Sequence, residues 1–316
     1  MPIDSPAILV SEFRRVEKLM GNRFEFTVVS EDESWAQQKI SLAIEEIRRI
    51  ERSFTTFDAN SQTNKINEQA GISAVKTDKE FFELVQRSIK ISRVTDGAFD
   101  ITYGSIDKRL WNFDRSMTSL PDEATAKAMV SLVNYRNIIL NSGDCSIMLK
   151  EKGMRIGFGG IGKGYAAEMA KVLLQQEGVS SGIVNASGDL AAWGSQANGK
   201  PWTIGIADPD NAHLPFAYMN ISNMAVATSG NYEKYITING KKYSHTINPK
   251  TGLPVTGIKS VTIISPNAEI ADALATPVTI MGIKAGLSLV DQLQQVECII
   301  IDDHNKIYAS KNIHLQ

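Results

Sequence analysis

With 316 residues, 43% hydrophobic and 22% charged, the chain has the make-up of a soluble globular protein, long enough for one large domain or two ordinary ones. A net charge of −2 with no basic block argues against nucleic acid or acidic membranes as partners, and no apolar run reaches the ~18 residues of a transmembrane segment. Two cysteines, Cys145 and Cys298, exclude a disulfide framework, and His213, His245, His304 and His314 lack metal-ligand spacing, which leaves open only a hard cation held by oxygens.

At the start, residues 1–21 have no charged stretch leading into an apolar one and no lipobox-like cysteine, which reads as a cytoplasmic chain, or as a periplasmic one whose leader has been removed. Residues 23–31 (RFEFTVVSE) alternate like a strand, and residues 34–52 carry Ile40, Ala43, Ile44, Ile47 and Ile50 at helical spacing. Residues 76–97 read as a helix with Thr77 as N-cap, Glu80 three positions on and Gly97 past the end. In residues 135–158 two alternating runs flank NSGD and a third follows EKG, the pattern of an antiparallel meander. A helix over Lys163 to Gln176 follows, with Ala166, Met169, Ala170 and Leu173 on one face. Strands are expected at 181–186, 202–208 and 224–229, and a hairpin at 232–247 turning on Asn239-Gly240. Two more strands, 259–265 and 297–303, bracket helices at 267–282 and 284–293. Strands come in adjacent runs with helices grouped between them, so the fold class is α+β, a mostly antiparallel sheet with packed helices, in a single compact domain over residues 1–316.

The stretch RIGFGGIGKGYAAEMA (155–170) admits three readings. Gly157, Gly159 and Gly162 spell a dinucleotide fingerprint, but the residues before them are polar and hairpin-like rather than a buried parallel strand, and Glu177 ends the helix instead of a following strand. Gly157, Gly162 and Lys163 spell a P-loop, but the position that should hold Mg²⁺ through a hydroxyl is Gly164. What remains is a glycine turn at a helix start, where free N–H groups and Lys163 suit an anion, or a turn that only packs.

Further along, Asp272 and Thr276 stand at i and i+4 in ADALAT, so one helical face carries a carboxylate and a hydroxyl able to ligate Mg²⁺, unless Asp272 only serves its helix dipole. His245 closes a strand where a general base has access to a pocket. Thr228, Ser229 and Gly230 end another strand in a form suited to phosphate contact, and NASGDL (185–190) has the same character; each is equally a plain turn.

In chain order, Met20-Gly21, GAFDIT (97–102), GGIGKGYA (159–166), VNASGDL (184–190), ATSGNYEKY (227–235), YSHTINPKTGLP (243–254) and IADALAT (270–276) resemble the ApbE family of FAD:protein FMN transferases, over about residues 20–282. The resemblance implies an ApbE-like, T-fold-related architecture and an enzyme that cleaves FAD with Mg²⁺. It would pass the FMN half to a threonine of an acceptor flavoprotein, within a Ser/Thr-rich motif, and release AMP. Carried over by position, Asp272, Thr276 and the backbone carbonyl of Gly160 are the Mg²⁺ ligands. Met20, Phe57, Ala98, Phe99, Asp100, Gly159, Lys163, Ser229 and Ile247 are flavin-nucleotide contacts, and His245 assists deprotonation of the threonine, with Asp272 the second catalytic group. Three positions depart from the family pattern: Gly157 stands for an Asp, Phe57 for a Tyr and Ser187 for a Gly. The rival readings are a Mg²⁺-dependent FAD pyrophosphatase, with water as acceptor, and a protein that binds FAD without chemistry.

Overall fold

The computed structural model describes residues 10–109, 119–207, 215–230, 235–238 and 240–313. The leader reading on the first nine residues, His213, His314, residues 231–234 at the start of the expected hairpin and Asn239 lie outside that set. The first half of the chain runs β1 (Ser11–Leu19), β2 (Asn22–Ser30), α1 (Glu33–Phe54), α2 (Gln62–Glu68), β3 (Val75–Lys76) and α3 (Lys79–Val94). Next come a 3-10 turn at Ile101–Ser105, α4 (Glu123–Met129), β4 (Ile138–Asn141), β5 (Ser146–Leu149) and α5 (Gly162–Gln176). A strand-rich stretch follows: β6 (Gly182–Ala186), β7 (Asp189–Trp193), β8 (Trp202–Ala207), β9 (Pro215–Ile221), β10 (Met224–Gly230), β11 (Tyr235–Ile238) and β12 (Lys241–Ser244). The chain closes with β13 (Ile258–Ser265), α6 (Ala268–Met281), α7 (Ile283–Val290), β14 (Glu297–Asp302) and β15 (Ile307–Ala309).

Eight strands form one sheet in the order β1-β2-β6-β7-β10-β13-β14-β15, every pair antiparallel, which confirms the α+β expectation and removes the parallel strand a dinucleotide fold requires. Three helices lie across one face: α1 over β1 and β2, α5 over β6 and β7, α6 over β10 and β13. The apolar stripe read from the sequence, Ile40, Ala43, Ile44, Ile47 and Ile50, is the buried face of α1. The hairpin β8–β9 covers the opposite face, where Trp202, Ile206 and Ile221 pack on Leu190, Ala192, Val226 and Ile264. Buried on both sides, β7 has no exposed residue (DLAAW).

Strand parity then fixes which side chains look toward the helices. Ala191 and Trp193 belong to the helix-side core while Leu190 and Ala192 face the hairpin, so Asp189 points toward α5 and α6. By the same alternation Ala225 and Ala227 put Ser229 on the helix side.

Two local expectations shift. The N-cap of α3 is Asp78, whose carboxylate accepts from Phe81 N, while the Thr77 hydroxyl donates to the Cys145 carbonyl at 2.9 Å. An Asp one residue later competes well for the cap, because its charge also meets the positive helix end. The third run of the meander, residues 154–158, forms no strand. Its middle is satisfied by side chains instead: Asn67 both receives from Ile156 N (2.7 Å) and donates to Ile156 O (3.0 Å), the Ser105 hydroxyl does the same for Arg155, and Gly157 N donates to the Ile101 carbonyl.

The head of α5 is tied to α1 and α3 through Glu80. Its carboxylate takes Arg49 in a two-toothed pair (2.7 and 2.8 Å) and the Tyr165 hydroxyl from the first turn of α5. Burial pushes Glu80 up, but the hydrogen bonds from Arg49 and Tyr165 outweigh it and hold the carboxyl below its ordinary value. A depressed folded pKa gives stability that is complete above the unfolded value, near pH ~4, and is lost as pH falls through the folded one. Glu80→Gln is therefore expected to cost on the order of 1 kcal/mol at pH 7, with the gap from wild type closing in urea unfolding below about pH 4. A gap that stays constant with pH would refute the ionic tie.

Candidate active site

Four aromatic rings set the glycine turn. Phe54 and Phe81 stack at 4.8 Å, and Phe158 stands edge-on to both at 5.0 and 5.3 Å, with Tyr165 edge-on to Phe54. Phe158 is thereby buried inside the run Gly157-Phe158-Gly159-Gly160, and its carbonyl accepts from Ile161 N and Gly162 N to start α5. The N-cap position, Ile161, offers no side-chain oxygen to the helix end.

The missing cap comes from another helix. Asp272 of α6 accepts from Gly164 N at 2.8 Å and from Lys163 N. Reciprocally, Glu168 of α5 accepts from Ala268 N, the first residue of α6, at 2.9 Å. The two helices run antiparallel and each closes the amide end of the other. The contact needs a glycine: a Cβ at Gly164 would lie 2.2 Å from the Ala268 carbonyl oxygen and 2.5 Å from Asp272 Cβ. A Cβ at Gly159, by contrast, would meet nothing within 4 Å, so the fingerprint glycine is the sterically undemanding one. The sequence reading had the N–H groups at this helix start open to an anion; two of them are taken by Asp272.

Charge converges at the same place. The Lys163 ammonium pairs with Asp189, which the sheet parity aims at it and which also accepts from Thr228 N. Burial alone would lower Lys163, but Asp189 and then Asp272 more than offset it and keep the ammonium charged. Asp272 goes the other way: burial first, then the neighbouring Asp189 carboxylate, push it well above the usual carboxylate range against the pull of Lys163 and the two amides. Burial raises Asp189 as well, so a further cation beside the two carboxyl groups would stabilise their ionised forms.

Oxygen donors of the kind a hard cation takes are available nearby in the sequence of these elements. Asp272 and, one turn on, Thr276 come from α6, and the Gly160 carbonyl comes from the turn before α5. Among the described residues no three His, Cys, Asp or Glu side chains converge as a metal site, so a cation here would have to draw on hydroxyl and carbonyl oxygens as well.

The rest of the carried-over set surrounds this point unevenly. Met20 and Gly21 form the two-residue turn between β1 and β2, both with left-handed φ (+50° and +71°), and Met20 Cε lies 3.6 Å from where a Cβ of Gly162 would stand. Beside it, Ser187 and Gly188 turn β6 into β7 with φ of +54° and +100°, and the Ser187 hydroxyl donates to Arg23 O across the two turns. Ser187 thus tolerates a position that favours the family's glycine. Ala98 and Phe99 are buried, with Phe99 Cε2 3.7 Å from a Cβ built at Gly160.

Asp100 looks inward: its oxygens accept from Thr102 N, the Thr102 hydroxyl and Tyr135 N, capping the 3-10 turn. Phe57 is 99% exposed on the loop after α1, next to Thr56, whose Cγ2 is 3.6 Å from a Cβ built at Gly157. His245 is half-buried just past β12, and Ile247 donates its N–H to the Tyr103 hydroxyl, which fastens that loop to the segment bearing Phe99. Sequence reasoning passed over Asp189. The signal was the odd-numbered spacing Asp189, Ala191, Trp193 in DLAAW, a polar residue in phase with a buried face.

Against known proteins, the model of the ApbE family matches residues 20–300. A Klebsiella pneumoniae protein described as FAD:protein FMN transferase is 31% identical, covering 92% of this chain and 90% of its own. A Treponema pallidum protein of the same description is 28% identical over 96% of this chain and 88% of its own. Among solved structures, the ApbE protein of Thermotoga maritima superposes with a TM-score of 0.85 at 29% identity, covering 95% of this chain and 97% of that one.

Gly164→Ala is expected to force α5 and α6 apart and cost about 1–3 kcal/mol, as overpacking does. Chemical denaturation checks it; a variant as stable as wild type would mean that the close approach does not hold the site.

Proposed function

The chain belongs to the ApbE family, and from that premise we propose that it is an FAD:protein FMN transferase, cleaving FAD at its pyrophosphate and attaching FMN to a threonine of an acceptor flavoprotein. The observation that carries the reading is the buried Lys163–Asp189–Asp272 cluster at the head of α5, a place of unbalanced charge built from three separate elements. The threonine oxygen bonds to the phosphorus of the FMN half, the bridging P–O bond breaks, and AMP leaves as the anion. Lys163 meets the phosphate oxygens as a fixed positive charge. Asp272, the Thr276 hydroxyl and the Gly160 carbonyl would hold Mg²⁺, which when bound would neutralise charge on the pyrophosphate oxygens.

A threonine hydroxyl is a weak nucleophile and needs its proton removed. His245 has that role, since imidazole takes and returns protons near neutral pH. The apolar groups Met20, Phe99 and Ile247 line the flavin's path, and the exposed Phe57 ring offers a stacking surface. Ser229, on the helix side of β10, and Gly159 contribute phosphate contacts. A Ser/Thr-rich segment on the acceptor presents the threonine.

The test incubates the protein with FAD, MgCl₂ and a domain bearing such a segment, reading acceptor mass, AMP and free FMN. The expected result is an FMN-sized gain stoichiometric with AMP and abolished by EDTA. AMP with free FMN and an unmodified acceptor would make water the acceptor, and intact FAD would leave a binding protein. Asp272→Asn, which keeps a cap for α5, is expected to lower transfer by about 100-fold or more. It should also lose the rise in melting temperature that Mg²⁺ gives the wild type through preferential binding to the folded state. Retention of both would overturn the metal assignment.

A further inference from the structure

We infer that Asp189 is the positioning residue for Lys163, holding its ammonium at the point where FAD phosphate oxygens arrive; the inference rests on the FMN-transferase reading and deepens it. A lysine head on a four-carbon stem is a mobile point charge unless something fixes it. Here the second residue of α5 extends its chain to a carboxylate that cannot move. Asp189 opens β7 directly after the two-residue turn at Ser187-Gly188, its register set by Ala186 opposite, and it accepts from Thr228 N of the neighbouring strand. The Asp189 side chain is 4% exposed and that of Lys163 29%, so the carboxylate is the more deeply set partner of the pair. Asp272, the other anion at hand, is occupied with the amides of Lys163 and Gly164. An ammonium has three donors; Asp189 uses one, and the others remain for phosphate oxygens.

Asp189 therefore touches no reacting atom. It aims Lys163 and sets how much of the charge is felt by an arriving anion. A purely structural buried pair would instead contribute to folding alone, so the two roles separate in binding and coupling rather than in stability.

The experiment titrates FAD by flavin fluorescence, without Mg²⁺, into wild type, Asp189→Asn, Asp189→Glu, Lys163→Ala and the double variant Asp189→Asn/Lys163→Ala. Steady-state transfer to a threonine-bearing acceptor domain and melting temperature are measured alongside. Asp189→Asn keeps the acceptor for Thr228 N, and is expected to weaken FAD binding about tenfold and kcat/KM more. The double variant should bind no worse than Lys163→Ala alone, because contacting residues couple, and Asp189→Glu should recover part of the loss. Three results overturn the inference: FAD affinity within twofold of wild type in a folded Asp189→Asn, a lowered melting temperature as its sole effect, or losses that add in the double variant. A wild type that transfers no FMN would sink the transferase reading instead, and the binding titration would still decide what Asp189 does.

Discussion

A carboxylate from one helix closing the amide end of another sets α5 against α6, and the rest of the site is arranged around that contact. Helix ends leave orphan N–H groups that must find partners when buried. Ile161 offers none for α5, so Asp272 does, and Glu168 answers for α6. The small residues Gly164, Ala167, Ala271 and Ala275 are buried in these helices, and Gly164 is the one whose absent side chain leaves the space for Asp272. With the helices so close, Asp272 is held away from water, and its carboxylate is raised above its ordinary range by that burial and by Asp189. A structural tie thus doubles as a buried carboxyl group whose ionised form a hard cation would stabilise.

The sheet supplies the second half of the arrangement. Antiparallel pairing brings the turns at Met20-Gly21 and Ser187-Gly188 side by side, because Phe24 stands opposite Ala186. The start of β7 and the end of β10 come to the same edge, where Asp189 meets Thr228 N. Left-handed backbone at Met20 and Ser187, neither of them glycine, costs on the order of 1 kcal/mol each and persists because the flanking ladder fixes both turns.

Much of this was legible in the sequence, and the parts that were not share a cause. Periodicity gave α1 and α5, alternation gave β2, the apolar runs at 224–229 and 259–265 gave β10 and β13, and Gly240 marked the β11–β12 turn with a φ of +76°. Asp272 and Thr276 could be paired because i, i+4 spacing is a property of one helix. Asp189 could not be paired with Lys163, since their meeting depends on the order of strands in the sheet, a long-range fact that no local pattern encodes. The same holds for residues 154–158, which alternate like a strand but whose central pair, Arg155 and Ile156, bonds to the side chains of Ser105 and Asn67. Asp100 carries a third lesson: within a motif, a carboxylate satisfied by three internal donors shapes the loop its neighbours present.

The pairing of β2 with β6 joins residues some 160 positions apart, as the Ser187 to Arg23 bond shows with a separation of 164. The meeting of α5 with α6 likewise closes separations of 108 and 100 residues, so neither half of the arrangement is local. No fragment released early in synthesis holds both Lys163 and Asp272. The Lys163–Asp189–Asp272 cluster is therefore assembled only once the chain through α6 is present.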